Sequence, residues 1–202
     1  MPMSFETYSL SEEQIEKMIK ANVWSENCPL HHSELLIVKI EHINFVSEVD
    51  SGELVVHNEL AEAVTSVFRE LLKMRFPIEK VISLEMYNGD DVASMEDNNS
   101  SCFNGRRIMN IDRWSSHAYG AAIDINPVQN PYMQLNEKES SIKVYPAEGI
   151  THVNRNARKP GMTEEIVELF ADHGFSEWGG NWELKPDYHH FQLPWDEIKK
   201  LV

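Results

Sequence analysis

Positive charge is scarce in this sequence. Lysine and arginine together number 18 against 33 aspartates and glutamates, for a net charge of -15. Binding a phosphate backbone needs basic patches, so this balance argues against nucleic acid as a partner. It argues equally against adsorption to anionic lipid. Cysteine is nearly absent. Cys28 and Cys102 are the only two, too few for a dense disulfide framework and too far apart for a CxxC pair. They fit two unrelated thiols better than one bridge. No apolar run approaches the roughly 20 residues of a membrane span. The opening "MPMSFETYSLSEEQ" has no basic segment followed by an apolar one, so it does not read as a signal peptide. Read as written, the chain stays in the cytoplasm. It would act at the periplasm or cell wall if it leaves by another route or if a signal segment was removed.

What is present is globular. Hydrophobic residues make up 42% of the 202 positions and charged residues 25%. A domain of this length buries roughly 70% of its unfolded-chain surface, enough for a substantial core.

Local patterns predict the elements. "SLSEEQIEKMIKAN" opens on Ser11 with Gln14 three residues on, a capping box ahead of a helix. "SELLIVKIEHINF" predicts one or two strands, and "GELVVH" another after the turn-like "VDSG". Asn58 can cap a long helix whose stripe is Leu60, Val64, Val67, Phe68 and Leu71, stopped at Pro77. "EKVISLEMY" predicts a strand. Residues 88–114 and 127–161 predict two long irregular connections, of the kind that is often functional. "AAIDIN" predicts a buried strand. "MTEEIVELFADHG" predicts a helix capped by Thr163 and ended by Gly174. "DYHHFQL" predicts a final strand, and "PWDEIKKLV" a short helix begun by Pro194. The class expected is α+β, with an N-terminal helical and strand extension over residues 1–50 packed on a domain over 51–202.

Two segments carry candidate chemistry. In "WSSHAYGAAIDINPVQNPY", Ile123 and Ile125 flank Asp124, so isoleucines facing a core turn Asp124 away from it beside the small Ala122. His117 lies seven residues back, an odd offset that strand alternation sends to the opposite face. Gly120 can break that alternation and fold His117 over Asp124. The plainer alternative is a buried aspartate held by turn amides with an exposed histidine nearby. In "KPDYHHFQL", Phe191 and Leu193 share a face with His189, which leaves His190 on the other with Tyr188 and Gln192. The plainer alternative there is a pair of surface histidines.

Together the segments offer His117, Asp124 and His190 on cleft-facing positions. Zinc hydrolases take three histidine or carboxylate ligands and leave the fourth position to water. The metal lowers the pKa of that water to roughly 7, and a nearby carboxylate moves its proton to the leaving amine. Asp187 is placed for that, with Glu177 and Glu183 as rivals. Arg106 and Arg107 precede the strand, where an arginine can bind a carboxylate with two parallel hydrogen bonds or simply be solvated charge.

"SSHAYGAAID" resembles the S-x-H-x-x-G-x-A-x-D signature of the zinc peptidases that include D-alanyl-D-alanine carboxypeptidases of the vancomycin-resistance type and phage L-alanyl-D-glutamate endolysins. Further blocks, from "GELVVHNELAEAV" through "DDVASMEDNNSSCFNGR" to "WGGNW" and "DYHHFQ", resemble the same group in the same order, over roughly residues 50–193. The resemblance implies a small antiparallel sheet flanked by helices, of the fold shared with the hedgehog domain. It implies one Zn2+ per chain held by His117, Asp124 and His190. It implies Asp187 as catalytic base, and Ser115 as a residue that holds substrate or orients the site. It implies Arg106 as a catalytic and substrate-binding arginine. The activity implied is cleavage of peptidoglycan stem peptides, or other D-amino-acid-containing peptides, through a metal-activated water. The bond is either D-Ala-D-Ala, as a carboxypeptidase, or L-Ala-D-Glu, as an endopeptidase. A non-catalytic zinc-containing binding domain of hedgehog type is the alternative. Two departures stand out: Asn181 replaces the aspartate of the group's W-G-G-D-W, and His189 stands beside His190 as a potential stray ligand.

Overall fold

The computed structural model describes residues 5–108, 111–136 and 141–202. Ser11 caps helix α1 (Glu12–Lys20) through the predicted reciprocal box with Gln14. Strand β1 (Glu6–Ser9) pairs with β2 (Leu35–Ile43), and β2 pairs antiparallel along its whole length with β3 (Val49–His57). "VDSG" is therefore strand, not turn. The chain reverses earlier, where Asn44 Oδ1 accepts from the amides of Val46 and Glu48 and Ser47 takes a φ of 66°. Residue 50 lies inside this hairpin, so the boundary expected there falls within one continuous sheet.

His57, rather than Asn58, caps the turn that enters helix α2 (Ala61–Lys73), its Nδ1 accepting from the Glu59 amide. The predicted stripe of α2 is buried in full, from Leu60 to Leu71. Burying each large apolar side chain is worth about 1.5–3 kcal/mol, so this helix ties the sheet to the core.

"EKVISLEMY" is strand only at β4 (Lys80–Val81), because its partner β5 (Asn99–Ser100) is equally short; Leu84–Tyr87 is a 3-10 turn. The first predicted loop contains α3 (Asp91–Glu96), capped by Asp90. Strand β6 (Ala122–Asp124) follows. The second predicted loop contains the antiparallel hairpin of β7 (Tyr132–Asn136) and β8 (Ser141–Tyr145). Residues 109–110 and 137–140 of these loops lie outside the described residues. Helix α4 (Val167–Asp172) starts later than predicted. Thr163 does not cap it: its hydroxyl donates to the Tyr188 carbonyl at 2.6 Å. Gly174, at φ 95°, follows its end as predicted. The chain closes with β9 (Glu177–Trp178), β10 (His190–Gln192) and α5 (Trp195–Ile198).

The architecture is α+β, with several small sheets rather than one. The sheet that positions the site has the order β6-β10-β9, antiparallel throughout. Its core face joins Ile123, Ile125 and Phe191 to Phe68 of α2 and to Phe170, whose ring stacks on Phe191 at 4.0 Å. A second core gathers Met18, Trp24, Leu30 and Leu35 with Val55 and Phe103, so the N-terminal elements are packed against the rest. Among the described residues no helix is long and apolar enough to cross a membrane.

Candidate metal centre

β6 and β10 lie side by side with His190 directly opposite Asp124. Ile123 and Ile125 are fully buried, which fixes Asp124 on the other face as alternation requires. His117 arrives by a different route. Ser115 accepts from the His117 amide and caps a 3-10 turn, Ser116–Tyr119, that ends at Gly120 with φ 57°. Any Cβ on Gly120 would sit 2.4 Å from the His57 amide nitrogen, so glycine is needed for its conformation and for the close approach. The odd spacing of His117 and Asp124 is thus resolved by a turn rather than a strand.

Donor atoms of three residues converge. His117 Nε2 is 3.3 Å from Asp124 Oδ2, His190 Nδ1 is 2.9 Å from Asp124 Oδ1, and the two ring nitrogens are 3.2 Å apart. The outer nitrogens settle which lone pairs face inward. His117 Nδ1 donates to the Cys102 carbonyl at 2.5 Å, and His190 Nε2 donates to Gln192 Oε1 at 2.9 Å. In neutral rings the inward nitrogens are then bare acceptors. Gln192 is itself held by Glu177, its Nε2 donating to Oε2 at 2.7 Å. Such outer partners orient metal-binding histidines. Burial by itself would raise the Asp124 carboxyl, but the imidazoles of His117, His189 and His190 hold it well below the usual carboxylate range. One atom from each of the three residues lies within 4.8 Å of the others, and two imidazoles with one carboxylate are donors of the kind that bind divalent transition metals.

The cluster opens into a cleft of about 890 Å³. Asp187, Ser115 and Arg106 line it with His117, Asp124 and His190. Asp187 is held by the "WGG" segment. Its amide donates to the Gly179 carbonyl at 2.9 Å, and a Cβ on Gly179 would meet the Asp187 Cβ at 2.9 Å. Gly180 lies under the Trp178 ring, which is stacked with Phe191. Asn181 is exposed on the same turn. Of the rival carboxylates, Glu177 lines the cleft but is bound to Gln192, and Glu183 is exposed outside its lining. Arg106 forms an ion pair with Asp91, and Arg107 pairs with Asp112 at 2.5 Å.

His189 departs from its predicted placement. It sits one residue before β10, where strand alternation does not apply, and its Nε2 stands 2.9 Å from Asp187 Oδ1 and 3.8 Å from Asp124 Oδ2. Its Nδ1 donates to the Asn130 carbonyl at 2.8 Å. Burial would lower this imidazole, but the carboxylates of Asp187 and Asp124 push it up to about 9. Asn130 in turn binds Thr163 and Arg155, and Arg155 is paired with Glu164 at 2.7 Å. Beyond the histidine pair itself, no local pattern signals this support.

The segment that carries the cluster has a counterpart among known families. Residues 110–193 match the family described as D-alanyl-D-alanine carboxypeptidase. The match bears out the resemblance read from "SSHAYGAAID" and "DYHHFQ". It spans Ser115, His117, Asp124, Asp187 and His190, and Arg106 lies just outside it. The segment is similar to a peptidase family, and the His117–Asp124–His190 group could hold a metal ion. No curated protein and no solved structure matches the chain.

Proposed function

We propose that the protein is a zinc-dependent peptidase that cleaves peptidoglycan stem peptides or similar D-amino-acid-containing peptides. One observation carries this reading: donor atoms of His117, Asp124 and His190, from three chain segments, converge within 4.8 Å of one another, and in neutral rings the outer hydrogen bonds leave the inward nitrogens as acceptors. His117 Nε2, Asp124 and His190 Nδ1 would hold the ion.

A zinc ion bound there supplies Lewis acidity and lowers the pKa of a water to roughly 7. The remaining work belongs to the chain. Asp187 takes up a proton on its carboxylate and returns it to the leaving amine. His189, anchored on Asn130, holds that carboxylate beside the cluster. Ser115 fixes the turn that carries His117. Arg106 contributes positive charge to the cleft where the substrate carbonyl gains negative charge.

Mass spectrometry of defined stem peptides after incubation with zinc-loaded protein tests this reading. Cleavage at D-Ala-D-Ala or at L-Ala-D-Glu, abolished by a chelator, is expected. Intact peptides throughout the panel would refute a hydrolytic role and favour a zinc-containing binding domain.

A further inference from the structure

Three arginines line the cleft: Arg106, Arg107 and Arg113. Two of them are occupied. Arg106 is paired with Asp91, and Arg107 is paired with Asp112 while lying 4.6 Å over the Trp114 ring. Among the described residues Arg113 has no carboxylate partner, although acidic residues outnumber basic ones by 33 to 18. Its guanidinium lies instead over the Trp195 ring, 4.5 Å from the centroid.

The placement of that ring connects Arg113 to the metal centre. Trp195 opens α5, three residues after Gln192 ends β10. Its ring meets Tyr119 edge-on at 6.2 Å, and Tyr119 belongs to the turn that carries His117. The platform under Arg113 is thus built from the two segments that supply the histidine ligands. The Arg113 backbone is tied down as well: its amide donates to the Ile111 carbonyl at 2.8 Å, and its carbonyl accepts from the Ile108 amide at 2.9 Å. A guanidinium stacked on an aromatic face keeps its N–H edge free for a carboxylate. Arginine stays protonated at any working pH, so this cation is permanent.

We infer that Arg113, held on the Trp195 face at the edge of the cleft, anchors the terminal carboxylate of the peptide substrate. The inference rests on the peptidase reading above. A C-terminal carboxylate is an anion of fixed position, which a stacked arginine matches. The internal amide that an endopeptidase would place there needs no such cation.

The test separates binding from turnover. Zinc-loaded protein carrying Asp187→Ala is titrated by calorimetry with an N-acetylated peptide ending in D-Ala-D-Ala and with the same peptide as its C-terminal amide. The free acid should bind about tenfold or more tightly than the amide, as expected for a hydrogen bond between charged groups. Adding Arg113→Gln should remove that preference with zinc content unchanged, while adding Arg107→Gln, whose arginine is paired with Asp112, should leave it. Equal binding of acid and amide, no binding of either, or a preference that survives Arg113→Gln would overturn the assignment. Hydrolysis by the unsubstituted protein reports separately on the peptidase reading: no cleavage with a preserved acid preference removes the reaction but leaves the anchor.

Discussion

His190 and Asp124 are directly opposed residues on adjacent antiparallel strands, with Nδ1 of one 2.9 Å from Oδ1 of the other. The strand register alone therefore brings two of the three proposed ligands together. Only His117 needs a separate device, the turn ended by Gly120. Replacing Gly120 with alanine should both strain the left-handed conformation and push against the His57 backbone. Gly120→Ala is expected to lower stability by at least about 1 kcal/mol and to weaken zinc binding. Urea unfolding and a zinc competition assay would check it; unchanged values in both would show that the turn does not position His117.

The outer hydrogen bonds make a second prediction. Gln192 accepts from His190 Nε2 and is held in turn by Glu177. Gln192→Leu should keep the fold but cost about 10–100-fold in zinc affinity, the usual scale for such partners. Competition against a chromogenic chelator measures this. Wild-type affinity in the variant would mean that His190 is oriented by its strand alone.

Asp187 should separate binding from turnover. It lines the cleft but is not one of the three converging ligands. Asp187→Ala is expected to retain zinc and to lose about 10²–10⁴-fold in kcat. Hydrolysis at the unsubstituted rate would remove it as the base, and loss of zinc would make it a ligand.

Away from the site, His42 and His57 are buried, each with one ring nitrogen that lacks a hydrogen-bond partner among the described residues. Burial holds both imidazoles below their ordinary value of 6.5. The unfolded chain takes up these protons as pH falls through about 6.5, and the folded chain resists doing so. Their contribution is thus fully present above that pH and is lost on acidification. His42→Leu should lose less stability than the parent between pH 8 and pH 5, measured by urea unfolding of metal-free protein. Equal losses would show that His42 does not titrate with unfolding.

Much of the site was legible in the sequence because its signals are local. The isoleucines on either side of Asp124 set its face, Gly120 marked the break, and the capping box of Ser11 and the stripe of α2 both formed as read. What was not legible depends on contacts between distant segments. "VDSG" looks like a turn, yet four residues of β2, Ile40 to Ile43, hold it in a strand. Thr163 looks like a cap, yet its hydroxyl is used by Tyr188. His189 was placed by strand alternation, but β10 begins one residue later and the ring turns to Asp187. Arg106 stands out in the sequence as a candidate, but Asp91, which occupies it, carries no motif that announces the pairing. Arg113 and Trp195 meet only through the fold.

Zinc content tests the metal centre most directly. Protein reconstituted with zinc and dialysed against metal-free buffer should carry about one ion per chain, as a single site of two histidines and one carboxylate requires. The same preparation with His190→Ala should carry far less. No stoichiometric zinc in the unsubstituted protein, or equal retention in the variant, would contradict the assignment of His117, Asp124 and His190.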